Sequence, residues 1–225
     1  MAFFRPMIIT LAALAWAVPP VMAQTPAMAG YSDIFSQEDQ VRGISFQVDD
    51  AYGVRTGHVV TAPFNIVVPT FGGVGPAFVA RMNDSPRNGL VSFGFTTPQG
   101  GLIEAINLVS AHIPMGEMAQ RVEQFAVLLN ARTVPQLMAG FDQGARTGIR
   151  PITVGSYKAV ELLGTYTHPV HGLIQWRLVG IPNPHSPESI YALTQIVTER
   201  LPIASVDDLP RSLTGRLLNS LQILQ

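Results

Sequence analysis

The order in which two hydrophobic periods alternate along the chain is the strongest constraint on its fold. Residues 42–48 (RGISFQV) set apolar Ile44, Phe46 and Val48 against polar neighbours, the two-residue period of a half-buried strand. Residues 58–68 hold two strand-like runs around Pro63, and residues 76–82 and 89–97 read as two strands joined by the turn-rich 83–89 (NDSPRNG). A long apolar strand over 102–113 ends at Pro114. The period then changes. Met118, Val122, Phe125, Ala126 and Leu129 fall on one face of a helix, with Glu117 and Arg121 spaced as an i, i+4 ion pair. A short helix from Val134 to about Phe141 follows, and Gly140, Gly144 and Gly148 then loosen the chain. Residues 157–167 and 173–181 read as a hairpin around 168–172 (HPVHG), and 189–199 as a further strand. Leu209, Leu213, Leu217, Leu218 and Leu221 form the stripe of a closing helix, which Ser205 or Asp208 can cap. Asp207 and Asp208 place negative charge at its positive end. This order predicts an α+β fold, a central antiparallel sheet flanked by helices.

The amino terminus predicts export. Arg5, the apolar run 7–18, Pro19-Pro20 and then Val21-Met22-Ala23 have the layout of a cleavable signal peptide over residues 1–23. No basic stop-transfer cluster follows, so no membrane span is expected after cleavage. Residues 24–40 read as a flexible leader and 41–225 as a single α+β domain. Without Arg5, 13 basic residues stand against 15 acidic ones, a net charge of −2. That balance offers no footprint for nucleic acid, and no basic cluster for anionic lipid. The chain has no cysteine. An exported core must then hold by packing alone, and thiol nucleophiles and thiolate metal ligands are excluded.

Three features of residues 154–224 resemble the PsbP-like family. Gly155-Ser-Tyr-Lys-Ala159 leads into a strand. Gly172-Leu-Ile-Gln-Trp-Arg-Leu-Val-Gly180 and Ser189-Ile-Tyr-Ala-Leu-Thr194 look like its paired strands, and 205–223 looks like its final helix. The family's usual opening, an aromatic strand running into a Pro-x-x-Trp turn, has no counterpart in 43–54. The resemblance implies an α/β/α sandwich around an antiparallel sheet. It also implies action by binding partners and stabilising assemblies rather than by catalysis.

Few residues suggest chemistry. His168 and His171, three apart on a tight loop, could hold Zn²⁺ or Cu²⁺ if His185 or a carboxylate such as Glu188 completed the set. An ordinary exposed turn explains the same residues. Asp49-Asp50 with His58 could form an acid–base pair, though a polar turn fits as well. Gly72-Gly73-Val74-Gly75 lacks the Gly-Lys-Ser/Thr ending of a phosphate loop, and no Gly-x-Ser-x-Gly elbow is present. Trp176, placed in a strand, reads as core, or if exposed as a binding anchor. Arg146 and Arg150, beside glycines, could face an anionic ligand or stand solvated.

The expectation is therefore a periplasmic, non-enzymatic binding or assembly-stabilising protein with an envelope protein as partner and no cofactor. Two alternatives are a metal-binding protein using the hairpin histidines, and a hydrolase whose triad is dispersed along the chain.

Overall fold

The computed structural model describes residues 41–47, 64–71, 78–81, 89–97, 100–203 and 205–223. The expected signal peptide and leader, the Asp49-Asp50 and His58 group and the glycine run 72–75 lie outside the described residues. Strands β1 (Val41–Gln47), β2 (Phe64–Phe71), β3 (Phe78–Arg81), β4 (Gly89–Thr96) and β5 (Leu102–His112) precede the helices. Helix α1 (Met118–Leu128) passes through a wide π turn (Leu129–Thr133) into α2 (Val134–Met138). Then come β6 (Asp142–Val154), β7 (Tyr157–His168), β8 (Gly172–Ile181) and β9 (Glu188–Val197). A 3-10 turn (Val206–Arg211), α3 (Leu213–Asn219) and the short β10 (Gln222–Ile223) complete the order.

The fold is α+β. Seven antiparallel strands form the main sheet in the order β3-β4-β5-β9-β8-β7-β6, and β1, β2 and β10 form a small second sheet. The amino-terminal strands are thus divided: β3 to β5 join the carboxy-terminal hairpins, while β1 and β2 do not. One face of the main sheet is covered by α1, the π turn and α2, whose Phe125, Leu129, Val134 and Leu137 pack on Leu162, Tyr166, Trp176 and Leu178. On the other face Leu213, Leu217 and Leu218 of α3, with Phe64 and Ile66 of β2, pack on Phe93, Ile106, Val179 and Ala192. One flank of the expected sandwich is therefore part helix and part sheet.

Strand β6 departs from the expected loosened chain. It closes the sheet at one edge, so residues 143–147 stay exposed and show no apolar alternation to read. Breaks of register between Asp142 and Ala145 and between Arg146 and Gly148 absorb its glycines as bulges. Pro151 has no N–H to donate and is tolerated because this edge pairs with no further described strand.

The helix face of α1 is as expected, with one addition. Arg121 lies on it, buried, instead of pairing with Glu117 in solvent. Its guanidinium donates to the carbonyl oxygens of Asn183, Ser186 (2.8 Å) and Ile113 (3.2 Å) and to Ser189 Oγ (3.3 Å). The β8–β9 loop is thereby tied to α1, and burial holds the Arg121 pKa below its ordinary value.

A buried acid caps α3. Glu104 on β5 accepts from Leu213 N (2.9 Å), Thr214 N (3.0 Å) and Thr214 Oγ1 (2.6 Å), while Ser212 Oγ accepts from Gly215 N (3.0 Å). First-turn donors that the helix itself cannot satisfy are met in this way. Burial raises the Glu104 pKa above its ordinary value, and the Thr214 and Leu213 donors offset only part of that rise. A folded carboxyl that holds its proton more tightly than the unfolded one contributes stability below the ordinary carboxylate range. That contribution is lost as pH rises through the folded value. Urea unfolding at several pH values should therefore show the wild type losing stability relative to Glu104→Gln as pH climbs from about 4. A relative gain over that interval would contradict the assignment.

Candidate functional site

The end of the sheet where β7 turns into β8 gathers the most suggestive side chains. Gly172, at φ +70°, lets the chain reverse within 168–172, and a Cβ there would meet the Glu199 carboxylate at 2.9 Å. His168 Nδ1 accepts from Val170 N (3.1 Å) and His171 N (3.3 Å), so the imidazole closes the turn that follows it. The two imidazoles stack, with centroids 4.7 Å apart. Phe141 lies against His168 at 5.5 Å and stacks on Tyr166 at 4.1 Å. Tyr166 is buried, and its hydroxyl accepts from Gln195 Nε2 at 2.5 Å. Burial pushes its pKa up to about 12 despite that hydrogen bond. Burial, His168 and Arg200 together hold the His171 pKa below its ordinary value. At the apex Val170 is 77 % exposed and Leu173 45 % exposed.

The three histidines considered as metal ligands are not brought together. His185 lies in the β8–β9 loop, where its N–H donates to Asn183 Oδ1 at 2.9 Å. The whole of β8 separates it from His171, about 30 Å at the usual rise of a strand. His168 Nδ1 is committed to two backbone donors. Among the described residues no group of three His, Asp or Glu side chains is placed to hold a metal ion.

The expected partner contacts are also redistributed. Trp176 is fully buried beneath α1 and α2, because it covers Gly164 on the neighbouring strand; it is core and not an exposed anchor. Arg150 does not await a ligand: its Nε lies 2.6 Å from Glu161 Oε2 and its Nη1 3.5 Å from Asp207 Oδ1. Glu161 also receives Arg177 Nε on the next strand. Arg146 is exposed on β6.

One grouping bears on the hydrolase alternative. The β5–β9 register sets His112 opposite Glu188, with His112 Nδ1 3.0 Å from Glu188 Oε1. Ser110 Oγ donates to Glu188 Oε2 at 3.3 Å. A serine nucleophile must hydrogen-bond to the imidazole, with the acid beyond it. Here the carboxylate lies between them, on an exposed surface, and the order does not make a relay. Nothing local in the sequence marks this trio, since it depends on a pairing between distant strands.

The fold defines the class, an antiparallel α+β sheet covered on both faces. It is similar to solved structures of the kind the carboxy-terminal half resembles. Cyanobacterial PsbP from Synechocystis sp. PCC 6803 is 11% identical, with a TM-score of 0.46 over 82% of this chain and 92% of that one. LpqN, involved in cell envelope biogenesis of Mycobacterium tuberculosis, is 11% identical, with a TM-score of 0.44 over 87% and 98%. The Ran-binding protein Mog1p of Saccharomyces cerevisiae is 6% identical, with a TM-score of 0.46 over 82% and 97%. These are likenesses of fold alone. No protein-family model and no curated protein matches the chain.

Proposed function

We propose that this chain is an exported, non-enzymatic binding or assembly-stabilising protein of the bacterial envelope, and that it docks a protein partner through the 168–173 tip. The observation that carries this reading is the apolar apex. Pro169, Val170 and Leu173 stand exposed on a turn that His168 holds in shape, and no charged residue occurs from 168 to 173. Apolar side chains presented on a fixed turn lose little conformational entropy when a partner covers them. Export rests on the signal-like layout of residues 1–23 and points to the periplasm. Among the described residues no helix is long and apolar enough to cross a membrane.

In-cell photo-cross-linking tests the reading, with the probe residue at Val170 or at Val127, which is exposed on the outer side of α1. The expected result is one dominant envelope protein captured at Val170, absent at Val127 and lost when Leu173→Asp is added. Equal capture at both positions, or none at Val170, would count against the tip as the docking surface.

A further inference from the structure

The stacked histidines also supply a device that needs no partner. We propose that the 168–172 turn is a proton-operated latch, closed while His168 Nδ1 is unprotonated and released when that nitrogen takes up a proton. The geometry fixes the tautomer. Nδ1 accepts from both Val170 N and His171 N, so the ring proton of the neutral imidazole sits on Nε2. An imidazolium carries hydrogen on both nitrogens and accepts nothing. Protonation therefore breaks both contacts in one step and turns two backbone donors towards a third.

The surroundings add to the effect. A protonated His168 would face the His171 ring at 4.7 Å, with Arg200 close enough to act on His171 as a like charge. Glu199 is the countercharge on this side, its carboxylate standing 2.9 Å from where a Cβ on Gly172 would lie. On the neighbouring strand, Asp142 is paired through its backbone with Thr167, and Gln143 Oε1 accepts from Thr167 Oγ1 at 3.4 Å. Phe141 presents an uncharged ring to His168. Release of the turn moves Val170, which lies between the two histidines, and so changes the shape of the exposed apex.

His168→Asn separates the latch from ordinary acid effects. The Asn side-chain oxygen can accept from the same two N–H groups, as Asx turns do, and does not titrate here. Nuclear magnetic resonance of the protein from about pH 8 to about pH 5, the span in which imidazoles change charge, reads the outcome. After correction for intrinsic exchange, the protection of the Val170 and His171 amides should fall roughly fivefold in the wild type as each loses a hydrogen bond. It should stay flat in His168→Asn. Imidazole nitrogen shifts of the wild type should place the His168 proton on Nε2 at the upper end of the range. That readout stands even if the variant fails to fold. Unchanged protection in the wild type, the same loss in His168→Asn, or a proton on Nδ1 at high pH would each overturn the latch. All three are read on the isolated protein, so a failed latch is distinguishable from a failed docking surface.

Discussion

Replacing Glu161 by Ala should lower the stability of this protein by about 3–5 kcal/mol, the usual cost of removing one partner from a buried ion pair. For a domain of this size that corresponds to a fall of roughly 10 °C in Tm. Glu161 is fully buried and is gripped from two sides, by Arg177 on β8 and by Arg150 on β6. Arg177 is itself nearly buried, whereas Arg150 keeps solvent contact and a second partner in Asp207. Removing the carboxylate therefore takes the acidic partner from a nearly buried Arg177 guanidinium, while Arg150 can turn outward. Two controls follow from this asymmetry. Arg150→Ala should cost far less than Glu161→Ala, because Arg177 still satisfies the acid. Replacing Glu161 and Arg177 together by Leu and Met should recover most of the loss, since a buried pair exchanged for apolar residues is often close to neutral. Thermal and urea unfolding of the three variants would decide it. Equal losses for Arg150→Ala and Glu161→Ala would show that the two arginines share the acid evenly.

Gly164→Ala is the second large effect. An added Cβ would lie 2.1 Å from Trp176 Cζ2 and 2.2 Å from the backbone oxygen of Ala145. The ring could tilt, but the β6 backbone cannot retreat without breaking its pairing, so the cost should reach about 3 kcal/mol, the upper end for overpacking. Gly180 makes a useful comparison. The nearest atoms to a Cβ there belong to the side chains of Phe125 (2.6 Å) and Leu129 (3.1 Å) on the helical layer. Gly180→Ala should be milder, about 1–2 kcal/mol, and should be relieved in a Phe125→Leu background. Gly164→Ala should be relieved only in part by Trp176→Leu, because the clash with Ala145 persists. Full relief there would place the strain in the ring and not in the backbone. The same covering of a strand glycine by an aromatic ring explains why Trp176 is unavailable to a partner.

Much of the fold was legible because its strands alternate and its helices have one apolar face. Phe125 and Leu129 were placed on the packed side by spacing alone, whereas Ser205 with Asp208, expected to cap the closing helix, forms a capping box on the 3-10 turn before it, and α3 itself is capped by Ser212 and Glu104. What was not legible depended on pairing between distant segments. β6 is an exposed edge strand interrupted by bulges, so its sequence resembles a loop. Arg121 looked like half of a surface ion pair because no local pattern announces that three carbonyls wait beneath it. The hairpin 168–172 was visible as a turn, but not the hydrogen bonds that make His168 part of its frame. Trp176, Arg150 and His185 were plausible site residues by type. Their roles were settled by Gly164, by Glu161 and by the length of β8, none of which is adjacent in sequence.

The order of the main sheet has a consequence for how the chain reaches this state. Strands β3 to β5 form one run of neighbouring hairpins and β6 to β9 another, each made from contacts close in sequence. The two runs meet only at β5 and β9, where even the nearest partners, His112 and Glu188, are 76 positions apart. Closing that seam carries the largest loop entropy in the sheet and is the step expected to set the folding rate. Until it closes, β5 and β9 are both open edges rich in apolar residues, and the half-folded chain is the species most exposed to misassembly.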